Sequence, residues 1–382
     1  MGVPSAVRQG GSQPRLSSRL VGRGFIKIKC FTRNNMPQYF ETSFGDKIEI
    51  LPEYENSIRR NKRKYILDAS SFNKLKDHTG NARRLMPNDN YTKDFISYAI
   101  LMHFLEKIGV LPQTFKKALD IGGAEGVHIA LFRSQYAEYV VSNDLEQSKI
   151  PDFKGKFKGI IEKYKTGENY QLPFLGVIIK KWFPYFPAET SYILSPKREP
   201  DVDRFEDGNF FKVIKDENFD IVLSWNTFSI LDYKLIIKKV ASLLPKGGIF
   251  AFMTRYFWGP GGACYLCGNF PYFEKRLTLE DIKKYYQRYK PGQEKYVKDI
   301  YYIHDPHRSS LKQYREWSEE QGFELLGFER MIFPYLEDTG KIEAPNRNLD
   351  SESILKNISR FRSDIIEDDL KTQRIMMAFK KL

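Results

Sequence analysis

A glycine-rich turn between an apolar run and a helical pattern constrains the fold of this chain more than any other stretch. It lies in ALDIGGAEG, residues 118–126. The apolar residues before the turn predict a buried strand, and VHIALFR after it repeats apolar residues at helical spacing. Gly122, Gly123 and Gly126 allow the tight bend between the two. A helix that begins here directs free amide groups at a ligand, which favours a nucleotide-type cofactor.

Strand and helix patterns alternate downstream of the turn. EYVVSND (138–144) and FDIVLSW (219–225) predict buried strands, and residues 235–252 predict a helix that stops at Pro245 and then a further strand. This alternation predicts an α/β protein with a parallel sheet. The first of these strands ends at Asp144, 18 residues after Gly126. Dinucleotide-binding folds place a ribose-binding acid at roughly 20 residues from the turn.

The last hundred residues continue the pattern. LTLEDIKKYYQRY (277–289) predicts a helix, FELLGFERMIF (323–333) and QRIMMAFKK (373–381) predict strands, and residues 337–353 predict a loop. Residues 94–112, before the glycine turn, predict an amphipathic helix that leads into the sheet.

Taken together, these motifs resemble the class I S-adenosylmethionine-dependent methyltransferases over roughly residues 95–382. The resemblance implies a Rossmann-like seven-stranded, mostly parallel sheet flanked by helices, with S-adenosyl-L-methionine as the cofactor. It places Gly122, Gly123 and Gly126 at the methionine part of the cofactor, with Asp120 at the end of the first strand. The second glycine of the family's motif is Ala124 here, a small residue that should still allow close approach.

The resemblance also implies roles for acids in the next two strands. Asp144 matches the acid that binds the ribose hydroxyls, and Asp207 matches the acid that contacts the adenine amine, with Gly208 beside it and Glu206 as the competing assignment. Each has an ordinary structural alternative: Asp144 could cap a following helix, and Asp207 with Gly208 is a common turn signal. Asp120 could simply end its strand.

At the methyl-donating end of the cofactor, the resemblance places Ser224 and Trp225. About 60 residues separate Asp144 from Glu206, more than one helix and a short loop need, so an insertion is expected there. It contains the aromatic run KKWFPYFP (180–187), and RYFWGPGGACYLCGNFPYF (255–273) is a second aromatic stretch. Both could close over an acceptor, or form the core of an enlarged subdomain.

The predicted organisation has three parts. They are a basic, acid-free arm (residues 1–40), an N-terminal extension or cap (41–94), and a methyltransferase domain (95–382) with insertions at about 148–204 and 256–320. The arm favours a solvated segment, with organelle targeting as the alternative. No apolar run approaches the roughly 20 residues that cross a bilayer, and a cytoplasmic location is expected.

The net charge of +13 is concentrated at the N-terminus. Residues 1–40 contain seven Lys or Arg and no acid, whereas residues 101–382 carry a net charge of only +4. A basic cluster, IRRNKRKY (58–65), could bind phosphate, but a solvated surface is the simpler interpretation. A nucleic-acid enzyme more often carries a basic stripe over its active face, so nucleic acid is not favoured as a partner.

Three cysteines exclude a disulfide scaffold. Cys264 and Cys267 with His304 and His307 could form a zinc site, but the spacing is unlike that of a zinc finger and no metal is expected. His304 is instead the candidate catalytic base, because an oxygen nucleophile must lose a proton and histidine titrates near neutral pH.

The sequence lacks two motifs that nucleic-acid methyltransferases carry. The segment after the fourth strand reads SWNT, not the Asn/Asp-Pro-Pro-aromatic motif of amino-methylating nucleic-acid enzymes, and no Pro-Cys nucleophile is present. A small-molecule or glycan acceptor, methylated at oxygen, is therefore predicted. The alternatives are an RNA or protein methyltransferase and a non-catalytic, methyltransferase-like binding module.

Overall fold

The structure is a computed structural model. It describes residues 37–51, 83–84, 90–145, 152–164, 166–172, 192–215, 217–228, 231–259, 268–270, 272–293, 297, 308–332 and 351–382. Residues 1–36 of the basic arm, the IRRNKRKY cluster and the KKWFPYFP run lie outside the described residues.

The described strands and helices follow one another in α/β alternation through the middle of the chain. The strands are β1 (Gln38–Glu41), β2 (Lys47–Ile50), β3 (Arg83–Arg84), β4 (Phe115–Ile121), β5 (Ala137–Asp144), β6 (Tyr170–Leu172), β7 (Tyr192–Leu194), β8 (Arg204–Asp207), β9 (Ile221–Trp225), β10 (Ile249–Arg255), β11 (Phe323–Ile332) and β12 (Thr372–Lys381). The helices are α1 (Asn90–Lys107), α2 (Val127–Tyr136), α3 (Phe153–Ile161), α4 (Phe210–Val213), α5 (Tyr233–Leu243), α6 (Phe273–Arg276), α7 (Leu279–Tyr289), α8 (Leu311–Glu320), α9 (Ser351–Ser359) and α10 (Glu367–Lys371).

Seven strands form the central sheet in the order β11-β12-β10-β9-β4-β5-β8. The pairs from β10 to β8 are parallel, and β12 runs antiparallel to both β10 and β11. The predicted Rossmann-like, seven-stranded, mostly parallel sheet is therefore confirmed. Since the parallel strands share one direction, their carboxyl ends lie at one edge of the sheet. The predicted site residues lie at this edge.

The two faces of the sheet carry separate apolar cores, as helices on both sides require. Ala118, Leu223 and Met253 belong to the core beneath α1 and α2, whereas Leu119, Val222 and Phe252 belong to the core beneath α5 and α8. β4, β9 and β10 are continuously apolar because successive side chains along each strand enter the two cores in turn.

The helix predicted over residues 94–112 forms, but it is not amphipathic. α1 covers Asn90–Lys107, and the ring of Tyr98 lies between Trp225 of β9 and Tyr192 of β7, with centroid distances of 6.4 and 6.2 Å. Residues 98–102, more than one turn of the helix, are all buried, so α1 is buried over most of its circumference. A second difference from the sequence prediction lies near the C-terminus. α9 begins at Ser351, so the loop predicted to reach residue 353 ends before that residue.

A third, smaller core joins the beginning of the described chain to the second insertion. Phe40 and Ile48 of the β1–β2 hairpin pack with Phe270, Phe273 and Tyr285. The rings of Phe40 and Tyr285 meet edge to face at 5.4 Å. The hairpin of the predicted extension is thus packed on residues of the predicted insertion.

Candidate functional site

The glycine turn joins β4 to α2 at the carboxyl edge of the sheet. Gly122 and Gly126 have φ angles of 72° and 78°, in the left-handed region that favours glycine. A Cβ on Gly122 would overlap the side chain of Thr227, and a Cβ on Gly126 would lie 2.7 Å from the ring of Phe205. Both positions therefore require glycine for two reasons, namely backbone conformation and lack of space.

Asp144 closes the turn from the neighbouring strand. Its Oδ2 accepts a hydrogen bond from the amide N–H of Ala124 over 3.1 Å. Ala124 has a φ of 46°, a conformation that costs a non-glycine residue about 1–2 kcal/mol, and the bond to Asp144 offsets part of that cost. The next described helix begins at Phe153, with Asp152 at its N-cap, and the residues that directly follow Leu145, on which the capping alternative depends, lie outside the described residues.

Asp120 lies beneath the turn and is fully buried. Among the described residues, neither of its carboxylate oxygens has a hydrogen-bond partner. A Cβ on Gly123 would lie 2.7 Å from Oδ2 of Asp120, so the missing side chain of Gly123 leaves this carboxylate open to the turn. Burial, and then the charge of Asp144, raise the pKa of the Asp120 carboxyl well above its usual range.

The second acid pair lies where β5 meets β8. Asp144 and Asp207 are register partners in this parallel pair, and the amide of Gly208 donates to the carbonyl of Asp144 over 2.8 Å. Asp207 is exposed, whereas Glu206 forms an ion pair with Arg204 at 3.0 Å. Of the two competing acids, Asp207 is therefore the one left open to a ligand.

Ser224 and Trp225 end the neighbouring strand β9. The hydroxyl of Ser224 donates to the carbonyl of Ile121 over 2.9 Å, so this side chain ties β9 to the start of the turn. The indole of Trp225 is 5% exposed and lies between Tyr98 of α1 and His128 of α2. Ser224 is thus a buried residue that joins β9 to the end of β4. The ring of Trp225 bounds the space beside the glycine turn.

Two residues that the sequence reasoning missed also shape the turn. Thr227 donates its hydroxyl to the carbonyl of Ile121 over 3.1 Å and fills the space in front of Gly122. His128 stacks on Trp225. In the sequence, Thr227 belongs to the SWNT segment, whose one signal is the motif that it lacks, and His128 fits an ordinary helical pattern. No sequence signal separates these roles from ordinary helix and loop positions.

The predicted cofactor residues therefore come together at one edge of the sheet. Those brought together are Asp120, Gly122, Gly123, Gly126, Asp144, Asp207, Gly208, Ser224 and Trp225, at the ends of β4, β5, β8 and β9. His304, His307, Cys264 and Cys267 lie outside the described residues.

The second aromatic stretch is core where it is described. Tyr256, Phe257, Trp258, Phe270 and Phe273 are all buried. For these rings the structure supports the subdomain-core interpretation over a surface that closes on an acceptor.

An open groove of about 410 Å³ lies between α3 and the segment before β8. Phe153, Phe157 and Phe205 line it, with Lys154 and Lys158 beside them. Phe205 also fills the space next to Gly126, so the groove adjoins the glycine turn.

The chain is similar in structure to several methyltransferases at low identity. An S-adenosylmethionine dependent methyltransferase from Mesorhizobium loti shares 13% identity at a TM-score of 0.38, with 75% of this chain and 100% of that chain covered. Phosphoethanolamine N-methyltransferase 2 of Haemonchus contortus, in complex with S-adenosyl-L-methionine, shares 15% at 0.34, covering 76% and 57%. A cyclopropane synthase from Mycobacterium tuberculosis shares 13% at 0.37, covering 73% and 83%.

The sequence itself matches no protein-family model and no curated protein. Identities and TM-scores this low transfer neither an acceptor nor a reaction to this chain. Among the described helices, none combines the length and the apolar character that a membrane crossing requires.

Proposed function

We propose that this chain, which has the seven-stranded fold of the class I S-adenosylmethionine-dependent methyltransferases, transfers a methyl group from S-adenosyl-L-methionine to a small-molecule or glycan acceptor, at oxygen. One observation carries the proposal. The glycine turn after β4 is bracketed by two carboxylates, the buried Asp120 below it and Asp144 across it. A turn that only connects a strand to a helix does not need an unpartnered, buried acid beneath it.

The residues of the turn fit the parts of this cofactor. The first amide groups of α2 have no acceptor within the helix and suit the cofactor's carboxylate. Asp144 would accept hydrogen bonds from the ribose hydroxyls, and Asp207 from the adenine amine. Asp120, open toward Gly123, would face the cofactor's ammonium group, where a cation offsets the cost of a buried charge.

Positioning supplies most of the catalysis that this site can offer. The cofactor carries an electrophilic methyl group on a sulfonium, and the protein must align the acceptor with it and exclude water. Alignment of this kind can contribute about 7–11 kcal/mol. Trp225, stacked against His128 and Tyr98, would form the wall beside the transferred group. His304 is proposed as the base that removes the acceptor's proton.

The alternatives differ in what they require of the chain. An RNA or protein methyltransferase would use the same cofactor residues, with a salt-dependent contact through the basic N-terminal residues. A non-catalytic binding module would keep the fold without turnover. The groove beside α3, with its two lysines, is compatible with either acceptor class and favours neither.

Calorimetric titration with S-adenosylmethionine and S-adenosylhomocysteine tests the cofactor assignment. The informative variant is Asp144→Asn, because the amide oxygen can still accept the Ala124 N–H while the negative charge is lost. The matched control is Asp232→Asn, since Asp232 caps α5 through Leu235 N–H and Asn caps helices about as well.

Saturable binding by the wild type and by Asp232→Asn, with a loss of about tenfold or more in Asp144→Asn, is the expected result. A folded wild-type protein that binds neither ligand would overturn the proposal in favour of the binding module. Labelled methyl transfer to acceptor panels then separates small molecules and glycans from RNA and protein.

A further inference from the structure

Two arginines face each other beyond the cofactor residues, on the strands next to β9. Arg255 ends β10, and its register partner on the antiparallel strand β12 is Arg374. Cross-strand partners lie on the same face of a sheet, with Cα atoms about 4.5–5.5 Å apart. The two arginine side chains therefore leave the sheet from adjacent positions on one face.

The face that carries them is the one toward α1. Met253 and Met376, the adjacent register pair, are buried in the core with Trp225. Residues two apart on a strand share a face, which places Arg255 and Arg374 on that same side. In agreement, Nη1 of Arg374 lies 4.0 Å from the sulfur of Met253.

No carboxylate balances these charges within the part of the chain that the structure describes. Neither arginine forms an ion pair there, although Arg374 is half-buried. On the neighbouring strand, Glu329 pairs in register with Met376 and so lies on the same face, but it is bonded to Lys107 of α1 at 2.5 Å. Burial, and then the charge of Arg255, lower the pKa of Arg374 to about 10.

The position of the pair relates it to the methyl-donating end of the site. Trp225 and Met253 are register partners in the parallel pair β9–β10, and Arg255 follows Met253 by two residues toward the carboxyl edge. With strands about 4.8 Å apart and about 3.3 Å per residue, the pair lies roughly 8–12 Å from Trp225. That distance suits a group on an acceptor whose reacting atom lies beside Trp225.

We propose that Arg255 and Arg374 bind an anionic group, a carboxylate or a phosphate, on the methyl acceptor, an inference that rests on the proposed methyltransferase function. Guanidinium groups bind both anions through paired hydrogen bonds. Two adjacent cations without a counter-charge repel each other, and an oxyanion placed between them removes that repulsion while it gains bonds to both. The acceptor class is thereby narrowed from any small molecule or glycan to one that carries an acid.

Anion binding to the full-length chain saturated with S-adenosylhomocysteine tests this inference. Inorganic phosphate and acetate are the two probes, titrated at constant ionic strength against chloride. The variants are Arg255→Gln and Arg374→Gln. Lys380→Gln is the matched control, because it removes the same charge from an exposed position at the other end of β12.

The expected result is saturable binding of one probe to the wild type and to Lys380→Gln, with a loss of about tenfold or more in each arginine variant. Preference for phosphate or for acetate identifies the acid that the acceptor carries. Absence of binding beyond chloride, or equal binding by the arginine variants, overturns the inference.

The S-adenosylhomocysteine titration that precedes the anion titration distinguishes failure of the acceptor inference from failure of the proposed function. Cofactor binding without anion binding refutes only the acceptor inference. A folded protein without cofactor binding refutes the proposed function itself.

Discussion

The imidazole of His128 stacks on the indole of Trp225, with ring centroids 4.9 Å apart and planes 10° from parallel. His128 is the second residue of α2, immediately after the glycine turn, and Trp225 is the last residue of β9. The stack therefore connects the helix that starts at the proposed cofactor site to the strand that ends at the proposed acceptor site.

Replacement of His128 by alanine should lower the free energy of unfolding by about 0.5–1.5 kcal/mol, the contribution of an aromatic pair beyond its buried area. His128→Phe keeps a ring of similar size and should lose less than half of that amount. Urea unfolding of both variants measures the difference. Equal losses in the two variants would show that the stack contributes nothing of its own.

Gly126→Ala should destabilise the protein by about 2–4 kcal/mol and abolish S-adenosylhomocysteine binding. Part of the loss is the left-handed backbone, about 1–2 kcal/mol. The rest is the contact of the new Cβ with Phe205, 2.7 Å away. Differential scanning fluorimetry and calorimetry measure the two effects.

Gly292→Ala is the matched control for this substitution. Gly292 has a φ of 82°, and no atom lies within 4 Å of the position of its Cβ. It should therefore show the backbone cost alone, with cofactor binding intact. If the two alanine variants were equally stable, crowding at Gly126 would not be the reason for its glycine.

Asp120→Asn should make the protein more stable at neutral pH while it weakens cofactor binding. The folded-state pKa of Asp120 is raised above 3.8, its ordinary value, so the folded protein binds the proton more tightly than the unfolded chain does. Stability from this carboxyl is fully present below pH 3.8 and is lost as the pH rises through the folded-state pKa. Urea unfolding should therefore show that the advantage of Asp120→Asn over the wild type, in free energy of unfolding, grows from acid to neutral pH.

Asp203→Asn supplies the opposite case, at the residue directly before β8. Asp203 accepts hydrogen bonds from Nε and Nη2 of Arg133 at 2.8 and 3.0 Å and from the amide of Val140 at 2.8 Å. Its replacement should destabilise the protein by about 1–3 kcal/mol at neutral pH. A loss of stability in Asp120→Asn as well would mean that the buried carboxylate is paired after all.

The sequence predicts the sheet, and it predicts which residues meet at the carboxyl edge, because both depend on local patterns. The turn is visible in the sequence because Gly122 and Gly126 adopt positive φ angles that favour glycine. Asp144 follows at a spacing that one helix and one strand determine. The sequence predicts Asp207 as a site residue with Glu206 as the competing acid, and the exposure of Asp207 together with the Arg204–Glu206 ion pair favours Asp207. That contact is a tertiary one, which no local pattern reports.

Contacts between distant segments account for what the sequence could not predict. The sequence predicts α1 to be amphipathic, but Tyr98 of this helix also packs against Tyr192 of β7, a contact that no local pattern reports. The pairing of Arg255 with Arg374 depends on strands 119 residues apart in the chain. The roles of His304 and of the Cys-His quartet remain predictions, since these residues lie outside the described residues.

The largest effect away from the proposed site is expected at Asp281, which fixes the N-terminal hairpin to α7. Its carboxylate is fully buried and accepts hydrogen bonds from the amide and the hydroxyl of Ser43, at 2.7 and 2.9 Å, and from the hydroxyl of Thr278 at 2.8 Å. Ser43 is 238 residues away in the chain. Asp281→Ala removes three charge-assisted bonds and should cost about 2–4 kcal/mol.

Glu280→Ala is the control, because Glu280 is the neighbouring acid of the same helix but is exposed, with a 3.3 Å ion pair to Lys283. Exposed pairs contribute about 0–1 kcal/mol. Hydrogen exchange of the β1–β2 amides should quicken in Asp281→Ala and stay unchanged in Glu280→Ala. Unchanged exchange in both variants would show that the hairpin is held by its apolar contacts with Phe270 and Tyr285, and not by this carboxylate.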